Sequence, residues 1–330
     1  MKKILNYLFE HKSLSREQAK EVLHNISNNG YSDAEIAAFI TVYLMRSITI
    51  EELQGFRDAL MELCVPVDLH GQDVIDIVGT GGDGKNTFNI STLSCFIVAG
   101  TGTKVAKHGN YGASSISGSS NVMEQLGYTF KKDSDVLNKE LDEAHICFLH
   151  APLFHPALKV VGPIRKNLGV RTFFNMLGPM VNPASPKYQL VGVYNLEMAR
   201  IYNYLLQQGS SAFTIIHSLD GYDEISLTSD IKVITNAGEK IYSAEDLGKR
   251  TVNPMDIHGG NSVEEAARIF LSILKGAGSW AQNAVVLANA AMALQCTGIY
   301  ASYDECYQMA VESLESGRAY QSLQKLTGRQ

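Results

Sequence analysis

Long apolar runs are missing from this chain. No stretch reaches the roughly 18 to 20 residues that a membrane-spanning helix needs, and the longest candidate, residues 284–294, is interrupted by Asn289. No membrane partner is expected. The opening segment, MKKILNYLFEHKSLS, has two lysines but only a broken apolar stretch and no small-residue cleavage site, so a short helix is expected there rather than a signal peptide. Cysteine is scarce and unpaired in pattern: Cys64, Cys95, Cys147, Cys296 and Cys306 are scattered and form no C-x-x-C motif. That excludes a disulfide framework and a zinc site of the usual spacing, and it suits a reducing cytoplasm. An excess of positive charge is lacking too. With 28 Lys+Arg against 34 Asp+Glu the formal net charge is −6, so nucleic acid is not an expected partner either.

The most informative absence is local. Residues 84–123 contain no Asp or Glu, where ordinary composition would supply about four. The same stretch holds Lys85, Lys104, Lys107, His108, eleven Ser or Thr, and glycines at 84, 100, 102, 109, 112 and 118. Glycines let backbone N–H groups approach an anion, a helix N-terminus adds partial positive charge, and hydroxyls donate hydrogen bonds without changing the net charge. Together they describe a site for several phosphates.

What is present is an ordinary globular composition, 45% hydrophobic and 19% charged over 330 residues, enough for two domains of unequal size. Residues 1–66 are helical by pattern. Capping boxes at Ser15/Gln18, Ser32/Glu35 and Thr49/Glu52 open apolar-periodic runs, and Gly30 is a plausible stop between the first two. This helical unit is either a packing cap or a dimerisation surface. From residue 67 short β-branched runs alternate with helical patterns: 74–78, 104–106, 146–149, 190–193, 213–217 and 232–235. That alternation predicts an α/β domain over 67–330 with a mainly parallel central sheet. Capping boxes at Ser262/Glu265 and Ser302/Glu305 flank an Ala-rich helix beginning near Trp280.

Residues 79–84 read GTGGDG directly after the first of these strands. They satisfy G-x-G-x-x-G, yet no carboxylate follows about 20 residues on, as a Rossmann dinucleotide site requires. They also approach a P-loop, but Asn86 stands where the magnesium-binding hydroxyl should be. Neither nucleotide motif is complete. Asp83 borders the acid-free zone and the pair Asp223, Glu224 lies far downstream after Gly221. Carboxylates beside phosphates are the usual setting for Mg2+, although such a pair by itself more often marks a solvated turn.

Five blocks in order, GTGGDGKNTFNIST (79–92), KHGNYGASS (107–115), SGSSNVMEQLG (117–127), HPALKVVGPIRKNLGVRTFFNMLGPMVNPA (155–184) and GYDEISLT (221–228), closely resemble the anthranilate phosphoribosyltransferase family. The resemblance implies a small all-helical domain packed on a large α/β domain, the former made of the N-terminal helices plus a contribution from about 160–185. It implies transfer of the 5-phosphoribosyl group from phosphoribosyl pyrophosphate to the amino group of anthranilate in tryptophan biosynthesis, releasing pyrophosphate. By the same resemblance Gly79, Gly82, Asp83, Thr87, Asn89, Ile90, Ser91, Thr92, Lys107 and Ser119 bind phosphoribosyl pyrophosphate. Gly79, Asn110 and Arg165 contact anthranilate, His108 and His155 line its path, and Ser91, Asp223 and Glu224 hold Mg2+. No residue is assigned as a general acid or base. A cytoplasmic homodimer through the helical domain is the family expectation.

The chain departs from the family pattern in places. Tyr111 and Gly112 follow KHGN where an Arg is usual, Asn121 replaces the acid of GSAD, and Ser229, Asp230 and Ile231 replace Gly-Pro-Thr. Two other readings compete: a pyrimidine nucleoside phosphorylase of the same fold, and a non-catalytic nucleic-acid-binding relative. The first should carry a different second glycine block. The second should be basic, with eroded metal ligands.

Overall fold

The computed structural model describes residues 1–112 and 115–328. The chain divides into two compact units, Met1–Val67 with Ala151–Pro183, and Asp68–His150 with Ala184–Gln330.

The first unit is all helical: α1 (Lys2–Phe9), α2 (Arg16–Ser27), α3 (Asp33–Met45) and α4 (Ile50–Glu62), joined by α8 (Ala151–Phe154), α9 (Pro156–Leu168) and α10 (Phe174–Leu177) from the later segment. The three capping boxes form as expected, each with both reciprocal hydrogen bonds. The left-handed residue that ends α2, however, is Asn29 at φ 55°, while Gly30 donates its N–H to Asn25 O. Glu52 does more than cap α4. Fully buried, its carboxylate also accepts from Leu14 N at 2.9 Å and from both Arg46 Nη atoms. Burial pushes its pKa up, but Arg46 and the Thr49 and Leu14 N–H groups outweigh that and hold it low. Phe173 from the later segment stacks on Phe56 at 4.6 Å and meets Tyr43 edge-on at 4.9 Å.

Helices α2 and α4 approach closely because α4 carries Gly55 on the contact. A Cβ there would lie 2.8 Å from Ala19 Cβ and 2.9 Å from Lys20 N. Glycine inside a helix costs about 1 kcal/mol relative to alanine, and here it lets the two backbones touch.

The second unit is a seven-stranded sheet in the order β3-β2-β1-β4-β5-β6-β7. The strands are β1 (Ile75–Gly79), β2 (Val105–Gly109), β3 (Ile146–His150), β4 (Tyr188–Gly192), β5 (Ala212–Ser218), β6 (Ile231–Thr235) and β7 (Gly238–Tyr242). Strands β1 to β5 are parallel, and β6 and β7 add an antiparallel hairpin at the edge. The sequence pattern does not reveal β7, because GEKIY is almost wholly exposed and lacks a buried face. Helices α5 (Ile90–Gly100), α6 (Ser119–Gln125), α7 (Ser134–Ala144), α11 (Leu196–Leu206), α12 (Val263–Leu274), α13 (Trp280–Thr297), α14 (Tyr303–Glu315) and α15 (Arg318–Thr327) complete the unit. The core lies chiefly between the sheet, α5 and the nearly all-buried α13. At α12 and α14 only half of each expected box forms. Ser262 and Ser302 accept from the N–H three residues on, but Glu265 and Glu305 receive Asn261 N and Ala301 N instead. A complete box opens α13 at Ser279 and Gln282.

The α2–α4 contact gives a direct test. Gly55→Ala is expected to lower unfolding free energy by about 1–3 kcal/mol through overpacking, despite alanine's better helix propensity. Chemical denaturation checks it; a stabilised variant would contradict the close approach.

Candidate active site

After β1 the chain fills one side of the sheet with β2 and β3, then returns to the other side with β4. The switch point of the topology therefore lies between β1 and β4, where open α/β sheets bind ligands beyond the strand C-termini. These two strands end side by side on the register partners Gly79 and Gly192. Neither tolerates a side chain. A Cβ on Gly79 would lie 2.5 Å from Asp223 Oδ2, and one on Gly192 would run into the Asp223 main-chain oxygen. Asp223 thus lies across both strand ends, and its Oδ2 accepts from Gly81 N at 2.7 Å.

The loop leaving β1 turns through the left-handed region at Gly81, Gly82 and Gly84, with φ of 66°, 79° and 73°, which only glycine adopts freely. Asp83 Oδ1 accepts from Lys85 N at 3.0 Å. The Lys85 ammonium sits 4.5 Å from the centroid of the Tyr222 ring, joining this loop to the turn that carries Asp223. The far side of the loop is braced by backbone: Thr87 bridges His258, Gly259 N donates to Asn86 O at 2.7 Å, and Phe88 N donates to Ile257 O. Asn86, which breaks the P-loop pattern, donates through Nδ2 to Gly260 O at 2.7 Å.

Asp223 and Glu224 follow β5 in a turn, and both are buried, at 6% and 9% exposure. A solvated turn is therefore not what they form. Burial pushes Asp223 well above the usual carboxylate range, reinforced by the nearby Glu224 and Asp83 charges. Burial also raises Asp83, against the downward pull of Lys85 N–H and of a hydrogen bond with Asp223. Glu224 is pushed up to about 7 by burial, opposed by the Lys107 ammonium and by hydrogen bonds from the Ser91 hydroxyl and N–H. Three carboxylates and one hydroxyl thus meet in one crevice. Among the described residues no three His, Cys, Asp or Glu side chains form a ready-made metal cage.

Helix α5 begins beside Glu224. Its N-cap residue Asn89 does not cap it; Asn89 Nδ2 donates to Ser117 O at 2.9 Å. Ile90 and Thr92 are buried, and the Ile90 N–H is taken by Phe88 O at 2.6 Å. Thr80 Oγ1, Asn89 Oδ1 and Ser117 Oγ are buried without a hydrogen-bond partner, polar capacity that native interiors rarely leave unused.

Lys107, expected to face phosphate, is only 2% exposed and donates through Nζ to Ile77 O at 2.7 Å. It acts from beneath the crevice, on Glu224. His108 is buried on β2, its N–H directed at Asp76 Oδ1 at 3.2 Å. Asn110 is exposed just past β2, and its carbonyl accepts from Ser120 N at 3.1 Å and Ser119 Oγ at 3.3 Å. Ser114, one of the hydroxyls of the acid-free stretch, lies outside the described residues.

Arg165 and His155 belong to the helical unit. Arg165 is half-buried on α9, donates from Nη2 to Asn175 Oδ1 at 3.1 Å and lies 5.5 Å from the Phe174 ring centroid. Burial lowers its pKa. His155 is buried at the start of α9 and donates from Nε2 to Val181 O at 2.7 Å; burial pushes its pKa down.

The α/β unit brings Gly79, Gly82, Asp83, Ser91, Lys107, Asp223 and Glu224 together, with Thr87 and Asn89 in the same loop and Asn110 and Ser119 at the neighbouring strand end. Sequence reasoning missed Gly192 and the buried Asp76, and it named Gly81 and Lys85 only as members of the glycine motif and of the acid-free stretch. A signal existed for Gly192, a glycine inside a predicted parallel strand.

No helix among the described residues is long and apolar enough to cross a membrane. The family model described as "Glycosyl transferase family, a/b domain" matches residues 71–320, and its helical bundle domain matches residues 2–64. A Christiangramia forsetii protein named anthranilate phosphoribosyltransferase is 60% identical over 326 residues, covering 99% of this chain and 98% of its own. A Flavobacterium johnsoniae protein of the same name is 59% identical with the same coverage. Among solved structures, the anthranilate phosphoribosyltransferase of Thermus thermophilus superposes with a TM-score of 0.90 at 31% identity, over 98% of both chains. The Saccharomyces cerevisiae enzyme, solved in complex with PRPP and Mg, gives 0.88 at 27% identity over 96% of this chain and 93% of its own. With relatives this similar along nearly its whole length, the chain belongs to the anthranilate phosphoribosyltransferase family of glycosyl transferases.

Proposed function

We propose that this chain transfers the 5-phosphoribosyl group of phosphoribosyl pyrophosphate to the amino group of anthranilate, giving N-(5-phosphoribosyl)anthranilate and pyrophosphate, a cytoplasmic step of tryptophan biosynthesis. The observation that carries the reading is the meeting of Asp83, Asp223, Glu224 and Ser91 at the sheet's switch point, where the glycine loop leads into the acid-free stretch.

Carboxylates that burial drives toward protonation, reinforced at Asp223 and Glu224 by neighbouring charge, fit a divalent cation that would supply the missing positive charge. The donor set is hard oxygen and too small to surround an ion alone, as suits Mg2+ shared with substrate oxygens. Asp223, Glu224 and Ser91 would hold it, and when bound it supplies charge neutralisation for the departing pyrophosphate. The chain's own residues do the rest. The left-handed glycines 81, 82 and 84 let the backbone of the β1 loop approach phosphate oxygens closely, while Asn89 and Ser119 flank the entrance of α5 and α6. These fixed dipoles favour the developing negative charge as the C1–O bond breaks toward an oxocarbenium-like state. Arg165 offers a planar fork for both oxygens of the anthranilate carboxylate. The aromatic amine is already neutral at pH 7, so it needs positioning more than a base, in keeping with a site where no acid–base pair is assigned. His155, tied to Val181, suits a wall of the acceptor's path rather than a proton carrier.

The same reading includes a homodimer through the helical unit, where Phe9 and Met45 are 60% and 84% exposed. Sedimentation at micromolar concentration tests it, and a strictly monomeric species would refute it.

Loss of anthranilate fluorescence in the presence of phosphoribosyl pyrophosphate and Mg2+ tests the activity. The double variant Asp223→Asn, Glu224→Gln, which keeps side-chain volume, is expected to lose turnover by about 100-fold or more, with its fold checked by circular dichroism. Unaltered turnover would sink the electrostatic account. Arg165→Gln is expected to raise KM for anthranilate by about 10- to 100-fold through loss of a charged pair, with KM for the donor little changed; equal effects on both substrates would contradict its assignment.

A further inference from the structure

We propose that Asn121 is a positioning residue that fixes Asn110 and Ser119, and through them both substrates, by tying together the two ends of the loop between β2 and α6. This rests on the substrate roles given above to Asn110 and Ser119. Asn121 stands in the first turn of α6, and its single Oδ1 accepts from Gly112 N at 2.9 Å and from Gly118 N at 3.0 Å. One side-chain oxygen therefore joins the outgoing and returning backbones. The backbones themselves are in contact: a Cβ on Gly118 would lie 2.6 Å from Tyr111 C and 2.8 Å from Asn110 O. Directly beside this junction the Asn110 carbonyl accepts from Ser120 N and Ser119 Oγ. Four hydrogen bonds, two of them through Asn121, lock the acceptor-side residue to the donor-side residue.

A second tie holds the same turn from outside. Tyr111 donates its hydroxyl to Glu124 at 2.7 Å, and its ring meets the His150 ring edge-on at 4.9 Å. That contact orients the chain just after Asn110, but it is exposed and leaves Gly118 free. Closing the junction falls to Asn121. Its chemistry also suits the place. An amide oxygen accepts both N–H groups as a carboxylate would.

The full-length wild type, Asn121→Ala and Asn121→Asp decide the matter by amide hydrogen exchange and steady-state kinetics. In Asn121→Ala, exchange at Gly112 and Gly118 is expected to accelerate, and KM for both anthranilate and phosphoribosyl pyrophosphate to rise about tenfold together, the effect of losing ordinary hydrogen bonds. Asn121→Asp keeps an acceptor and should return exchange and both KM values to within about threefold of wild type. A merely structural role would lower Tm and leave the KM values of the folded protein unmoved. Unchanged exchange in Asn121→Ala, a KM effect on one substrate alone, or an Asn121→Asp variant as impaired as Asn121→Ala would overturn the proposal. A wild type that consumes no anthranilate overturns the functional reading and the positioning role with it. An active wild type with an unaffected Asn121→Ala overturns the positioning role alone.

Discussion

Two parallel strands that end together on glycine leave room for a main chain and a carboxylate to lie directly on the sheet's edge, and Asp223 takes that room. Its main-chain oxygen is packed against Gly192 and its side chain against Gly79, so the turn after β5 is held at one height above β1 and β4. From that height Asp223 reaches Gly81 N, which draws in the glycine loop, and Glu224 reaches Ser91 at the start of α5. A side chain at Gly192 would lift the turn, and one at Gly79 would push the Asp223 carboxylate aside; either would separate these groups. The arrangement of the crevice therefore depends on a steric constraint supplied by two residues with no functional atoms of their own beyond the backbone.

The same arrangement stores unfavourable electrostatics. Asp83, Asp223 and Glu224 are all raised above their usual range, with burial as the leading cause in each case. Against the charge on Glu224 stand the Lys107 ammonium, itself buried, and the Ser91 hydroxyl and N–H. Proteins tend to break the ordinary rules for buried charge at functional sites. By contrast Glu52, equally buried in the helical unit, is surrounded by Arg46 and backbone N–H donors and is held low. The difference lies in the surroundings: Glu52 faces a guanidinium and backbone N–H donors, whereas Asp223 faces the charges of Glu224 and Asp83.

Much of the plan was legible because it is written in short-range chemistry. The boxes at Ser15, Ser32 and Thr49 need only three residues to declare a helix start, and the glycines of 79–84 declare a tight turn after β1. The resemblance added the pairing of the acid-free stretch with Asp223 and Glu224. What stayed hidden depends on residues distant in sequence. Gly192 matters because it is the register partner of Gly79, a fact that exists only once the sheet is assembled. The resemblance makes Lys107 a ligand of phosphoribosyl pyrophosphate, and its contact with Ile77 O on the neighbouring strand exists only in the assembled sheet. Strand β7 escaped because a hairpin edge exposed on both faces has no hydrophobic period to read, and at the incomplete boxes of Ser262 and Ser302 the glutamate takes the N–H one residue earlier.

The helical unit is made from two pieces of chain, with the whole of β1 to β3 between them. Phe173, the ring that Phe56 and Tyr43 pack against, belongs to the second piece. During synthesis the first four helices therefore emerge with a hole where that ring belongs, and the unit cannot close until three of the seven strands have been made. The helical unit begins the chain, but it is not the first part that can finish folding.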